Sequence, residues 1–182
     1  MAPTTISGGC LCEGVRYTIT FPADHDFTAQ VNNTGPPFPP SAAQLTGHHA
    51  QCSTCQCSQC RKQTGSLIFR VHRVPVSSLR YTSSATLSEY RASPGNARGF
   101  CSRCGSLLFW RHEASDRISM CVGCFDAEAL REHGRLLTYA ERHLFCGAEI
   151  DGVTDHLPGD RYKYDDEEGE GEVVLLGRRE PC

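Results

Sequence analysis

The sequence lacks any apolar run approaching the ~18 residues that a membrane-spanning helix requires, so no span is predicted. Met1 to Ser7 lacks a basic segment followed by an apolar one, so no secretory leader is predicted. A strong excess of one charge is missing too: 18 basic and 21 acidic side chains leave a net −3. That balance argues against non-specific binding to nucleic acid or to an anionic membrane. No internal repeat is visible. These absences predict a cytosolic or nuclear chain with reduced thiols, no membrane or nucleic-acid partner, and no specified oligomeric state. With 182 residues, one domain is expected, long enough to bury a core without staples.

Cysteine, by contrast, is abundant, with 12 in the chain. In a reducing compartment that points to metal rather than to disulfides. The densest stretch is Cys52-Ser53-Thr54-Cys55-Gln56-Cys57-Ser58-Gln59-Cys60-Arg61-Lys62, four thiols in nine residues. Thiolates held that close repel one another, and a divalent cation removes the cost.

Most of the chain reads as short strands. Val15, Tyr17 and Ile19 alternate with Arg16, Thr18 and Thr20, the period of a half-buried strand. Leu67 to Val71 reads as a strand buried on both faces at its start, and Val74 to Tyr81 as a bend at Pro75 with a short edge strand. Thr86 to Arg91 leads into the Ser93-Pro94-Gly95-Asn96 turn, a hairpin signal. Leu107 to Trp110 and Arg117 to Phe125 read as further strands, and Arg142 to Phe145 as a last short one. One short helix is expected over Asp126 to His133, ended by Gly134. Together these predict a mainly β domain.

Residues 22–51 are proline-rich and aperiodic and read as a loop insertion, either an exposed linker or a lid over the thiols. His48 and His49 within it read as solvated rather than as ligands. The domain is expected over 1–164. The run Asp165-Asp166-Glu167-Glu168 with Glu170 and Glu172 marks 165–182 as an acidic, solvated tail. Val173 to Leu176 could dock as an edge strand.

The cysteines partition by spacing. Cys10 and Cys12 need two more ligands for a closed tetrahedral site, and so do Cys101 and Cys104. Pairing them gives one four-cysteine zinc staple. Cys55, Cys57 and Cys60 are left as a three-thiolate set with one position open, the layout of a catalytic zinc. Cys52 is the alternative fourth ligand that would close that set. Cys121 and Cys124, in an expected strand, should point to opposite faces and read as small core residues. Cys146 and Cys182 have no spacing partner.

Four stretches in this order resemble the glutathione-dependent formaldehyde-activating enzyme family, which includes centromere protein V. They are Gly9-Cys10-Leu11-Cys12; Cys55 to Lys62 with Thr64-Gly65-Ser66; Arg98 to Ser106 with Cys101-Ser102-Arg103-Cys104; and Asp155-His156-Leu157-Pro158. The resemblance implies a tent-like β-sheet fold with two zinc ions per chain. It implies Cys10, Cys12, Cys101 and Cys104 as structural ligands and Cys55, Cys57 and Cys60 as catalytic ones. It implies a carbon–sulfur lyase that condenses formaldehyde with glutathione to S-hydroxymethylglutathione. Gln56 stands where the family's motif commonly has histidine, and the 22–51 insertion is unusual for it. Arg61, Lys62, Arg70 and Arg73 are candidates to meet a glutathione carboxylate. The other readings are a lyase or isomerase on another small thiol conjugate of a secondary pathway, and a non-catalytic zinc module that binds a protein.

Overall fold

The alternating segment Val15–Thr20 forms β2, with Val15, Tyr17 and Ile19 buried and the residues between them partly exposed or exposed. It pairs antiparallel with β1 (Thr5–Gly9) on one side and with β5 (Leu79–Ser84) on the other, making a three-stranded sheet. The computed structural model describes residues 1–27, 52–164 and 174–180. The 28–51 part of the insertion, with His48 and His49, and residues 165–173 and 181–182 lie outside the described residues.

A second sheet has nine strands. They are β3 (Cys52–Cys55), β4 (Phe69–Pro75), β6 (Leu87–Ser93), β7 (Asn96–Cys101), β8 (Leu107–His112), β9 (Arg117–Cys121), β10 (Arg142–Leu144), β11 (Gly159–Tyr162) and β12 (Leu175–Arg179). Their spatial order is β12-β11-β10-β3-β4-β9-β8-β7-β6. All pairs are antiparallel except β10, which runs parallel to β3 and to β11. The fold is therefore mainly β. Its main core joins both sheets: Val15, Tyr17 and Ile19 meet Val74, Leu108, Phe109 and Met120.

Two α-helices are present among the described residues. α1 (Ser58–Thr64) was not expected, because it carries a single buried residue, Cys60, among polar side chains and so shows no apolar period. It starts at Cys57 and stops at Gly65, whose φ of 69° ends a helix at no steric cost. α2 (Ala127–Thr138) is longer than expected and passes through Gly134. Leu137 explains this: its side chain is fully buried in the core, and that packing outweighs the ~1 kcal/mol a glycine costs inside a helix.

Two other expectations change, and the edge strand left open in the tail is decided. β4 starts at Phe69, and Leu67 is exposed rather than buried. β9 stops at Cys121, where a 3-10 turn, Val122–Cys124, takes over. Within the expected tail, Leu175–Arg179 is ordered as the edge strand β12 against β11.

Candidate metal centres and the cavity beside them

Two groups of cysteines converge, and in each all the sulfurs lie within 4.8 Å of one another. The first contains Cys10, Cys12, Cys101 and Cys104. The β1–β2 turn carries Cys10 and Cys12, and the β7–β8 turn carries Cys101 and Cys104. Glu13 with φ 61° and Gly105 with φ 77° fold the two turns back tightly. The Val15 amide donates to Cys10 Sγ at 3.2 Å, and Thr86 Oγ1 lies 3.1 Å from Cys101 Sγ. The Ser106 hydroxyl, 3.4 Å from Cys104 Sγ, draws that thiol down to about 5. Donors aimed at sulfur are what a thiolate ligand set requires.

The second group is Cys55, Cys57 and Cys60. β3 ends at Cys55, Cys57 caps α1, and Cys60 lies in its first turn with its amide 3.3 Å from Cys57 Sγ. Hydrogen bonds from the Cys55 and Cys60 thiols hold Cys57 far below its ordinary value, and the same contacts push Cys55 up. Sulfurs held this close constrain one another's ionisation. A dication would release that constraint, so the donor chemistry fits zinc here as it does at the four-thiol group. Both cysteine-rich groups could hold a metal ion.

Cys52 is not part of the second group. It begins β3 where Cys55 ends it, and residues three apart on a strand point to opposite faces. Its sulfur is fully buried, 3.0 Å from the Leu137 carbonyl and 2.9 Å from His72 Nδ1. The His25–His72 contact, Nε2 to Nε2 at 3.0 Å, extends this buried cluster. Sequence reasoning missed both histidines, which lie 47 residues apart and carry no motif.

A cavity of about 590 Å³ opens over the three-thiol group. Among the described residues its charged lining is Arg61, Arg73, Arg98 and Arg142, with no carboxylate. Phe69, Trp110 and Phe145 supply its apolar wall. Arg98, near the centre of β7, is only 5% exposed and donates to Gln59 Oε1 at 2.9 Å, while its other terminal nitrogen, Nη1, is buried with no hydrogen-bond partner among the described residues. Sequence reasoning missed Arg98, because nothing in the linear pattern marks its neighbourhood with α1. Of the four basic residues expected to meet a carboxylate, Arg61 and Arg73 line this cavity. Lys62 instead lines a neighbouring cavity of about 530 Å³ that shares Gln59 and Arg98 with the first. Arg70 donates to the Thr138 carbonyl at the end of α2, 2.5 Å away.

Gln56 does not line the larger cavity. It is buried, and its Nε2 donates to the Thr154 carbonyl at 3.3 Å. Gln56 therefore faces Thr154 rather than the cavity. Cys121 and Cys124 were expected on opposite faces. The 3-10 turn overturns this and brings the two sulfurs together, with the Cys124 thiol donating to the Leu107 carbonyl at 3.2 Å.

Residues 42–146 match the family model described as "Glutathione-dependent formaldehyde-activating enzyme". The match includes Cys55, Cys57, Cys60, Cys101 and Cys104. Among solved structures, a structural-genomics protein from Rhodobacter sphaeroides is similar at 20% identity with a TM-score of 0.46, covering 71% of this chain and 95% of that one. No curated protein matches the chain.

Proposed function

The chain belongs to the glutathione-dependent formaldehyde-activating enzyme family, and we propose that it is a zinc-dependent carbon–sulfur lyase forming or cleaving the adduct of formaldehyde with glutathione. The observation that carries this reading is three sulfurs converging at a cavity whose charged side chains are all arginines.

Cys10, Cys12, Cys101 and Cys104 would hold a structural zinc that ties the β1–β2 turn to the β7–β8 turn, within a single domain over 1–164. Cys55, Cys57 and Cys60 would hold the second zinc. When bound there, that ion supplies Lewis acidity and lowers the pKa of a coordinated thiol. The chemistry adds a thiol across a carbonyl: the sulfur loses its proton, the carbonyl carbon gains the C–S bond, and the oxygen gains a proton.

The chain's own residues provide binding and orientation. Glutathione carries two carboxylates, and Arg61, Arg73, Arg98 and Arg142 surround the space above the thiols. Arg98 is anchored on one side by Gln59, which leaves Nη1 for an incoming oxygen. Phe69, Trp110 and Phe145 present apolar surface to the remainder of the adduct and reduce water around the reacting carbon.

The test is adduct formation by zinc-loaded protein. With glutathione and formaldehyde, the expected result is S-hydroxymethylglutathione appearing faster than in the uncatalysed mixture, followed by NMR, and no acceleration by Cys57→Ser. No acceleration by the zinc-loaded wild type would overturn the reading. Acceleration with another carboxylate-bearing thiol but not with glutathione would transfer the site to a different thiol conjugate.

A further inference from the structure

Besides Cys52-Ser53-Thr54-Cys55 in β3, the chain contains three Cys-x-x-Cys segments, and two of them belong to the converging groups: Cys57 with Cys60, and Cys101 with Cys104. The third, Cys121 with Cys124, has no third ligand within metal-binding reach among the described residues. Two thiols alone do not complete a structural zinc site. Their geometry suits another chemistry. Cys121 ends β9, and the 3-10 turn Val122–Cys124 folds the chain back immediately after it. Such a turn holds Cα atoms three residues apart within about 7 Å, and a disulfide spans about 4.4–6.8 Å. The Cys121 sulfur accepts from the amides of Gly123 and Cys124 and meets the Cys124 sulfur, whose own proton goes to the Leu107 carbonyl at 3.2 Å.

Both residues are partly exposed and both are free thiols. The turn is fixed from behind: Tyr17 Oη donates to the Cys124 carbonyl at 3.2 Å, and Gly8 bridges to Phe125. A Cβ at Gly8 would lie 2.5 Å from that same carbonyl, so the first sheet presses directly on the turn. Cys121 packs with its register partner Val71 in the smaller core cluster, and Cys124 packs against the main core.

We propose that Cys121 and Cys124 form a redox-active dithiol that exchanges with low-molecular-weight disulfides of the glutathione disulfide type. The Cys121 thiolate attacks one sulfur of the small disulfide, and one small thiolate leaves and takes a proton. Cys124 then loses its proton, attacks the mixed disulfide at the Cys121 sulfur, and expels the second small thiol. Two protein thiols are oxidised to one disulfide, and one small disulfide is reduced to two thiols. This site is distinct from the lyase reading and does not depend on turnover at Cys55, Cys57 and Cys60.

The test uses the zinc-loaded full chain. Tryptic cleavage after Arg117 and Arg131 releases peptide 118–131, which contains these two cysteines and no others. After incubation with glutathione disulfide and alkylation of the remaining thiols, this peptide is expected to lack both alkyl groups and to regain them after dithiothreitol, with the zinc content unchanged. Cys124→Ser is expected to trap one glutathionyl group on Cys121. The proposal is overturned if the peptide stays fully alkylated while zinc is retained, or if its thiols are lost only as zinc leaves. It is also overturned if Cys124→Ser takes up no glutathionyl group while remaining folded by circular dichroism.

Discussion

Cys52 and His72 are register partners across β3 and β4, and Cys52 Sγ lies 2.9 Å from His72 Nδ1. This contact fixes the thiol in the core, on the face of the strand away from Cys55. Of the cysteines in the thiol-rich stretch, Cys52 alone takes no part in the converging group.

Cys52→Ala should therefore leave the metal content unchanged. The expected cost is about 1 kcal/mol for a small buried cavity, because His72 Nδ1 keeps the Leu137 carbonyl 3.0 Å away. Elemental analysis of the variant showing one zinc ion fewer than the wild type would place Cys52 at the metal.

Cys104→Ser and Cys57→Ser should separate the two groups. The first removes a ligand that ties two distant turns, and structural zinc is worth roughly 10–16 kcal/mol in small peptides. Its melting temperature should collapse or its soluble yield vanish. Cys57→Ser should lose the other zinc and all turnover while costing no more than about 3 kcal/mol, the ordinary range for one substitution. Equal destabilisation of the two variants in thermal melts would contradict this division.

Arg98→Lys should weaken recognition of an anionic thiol. Lysine keeps the charge but loses the fork that spans Gln59 Oε1 and the cavity. A hydrogen bond to a charged group is worth about 1.5–3 kcal/mol, so kcat/KM for glutathione adducts should fall roughly tenfold or more, mostly through KM. With a small thiol lacking carboxylates, the variant and the wild type should match. Equal losses with both thiols would make Arg98 a structural residue.

Stability should fall as pH drops below neutrality. Burial lowers His25 from its ordinary 6.5 to about 4, and burial lowers His72 from 6.5 to about 3. The unfolded chain takes up these protons first, so the native state loses stability as pH falls from about 6.5 towards about 3, and it holds the full contribution above about 6.5. His25→Asn should flatten the melting temperature against pH relative to the wild type. The comparison cancels acid release of metal, which is common to both proteins. Parallel curves would show that the histidine pair contributes nothing to the acid sensitivity.

Much of the candidate site was legible in the sequence. Ligand spacing is local, so Cys10-Leu11-Cys12, Cys55-Gln56-Cys57 with Cys60, and Cys101 with Cys104 could be read as metal-binding pairs and triples without knowing the fold. Period-2 alternation is also local, and it marked β2 and the β6–β7 hairpin. Tertiary structure decided the rest, for three physical reasons. Burial overrides local propensity: Leu137 carried α2 through Gly134, and the side of β3 that faces the core removed Cys52 from the thiol group. A change in backbone trajectory reverses side-chain direction, so the 3-10 turn after Cys121 made a contacting pair from cysteines that an unbroken strand would have kept apart. Sheet order brings together residues that are distant in sequence, and it is sheet order that placed Arg98 from β7 against Gln59 from α1 and Cys52 beside His72, relationships with no counterpart in the linear chain.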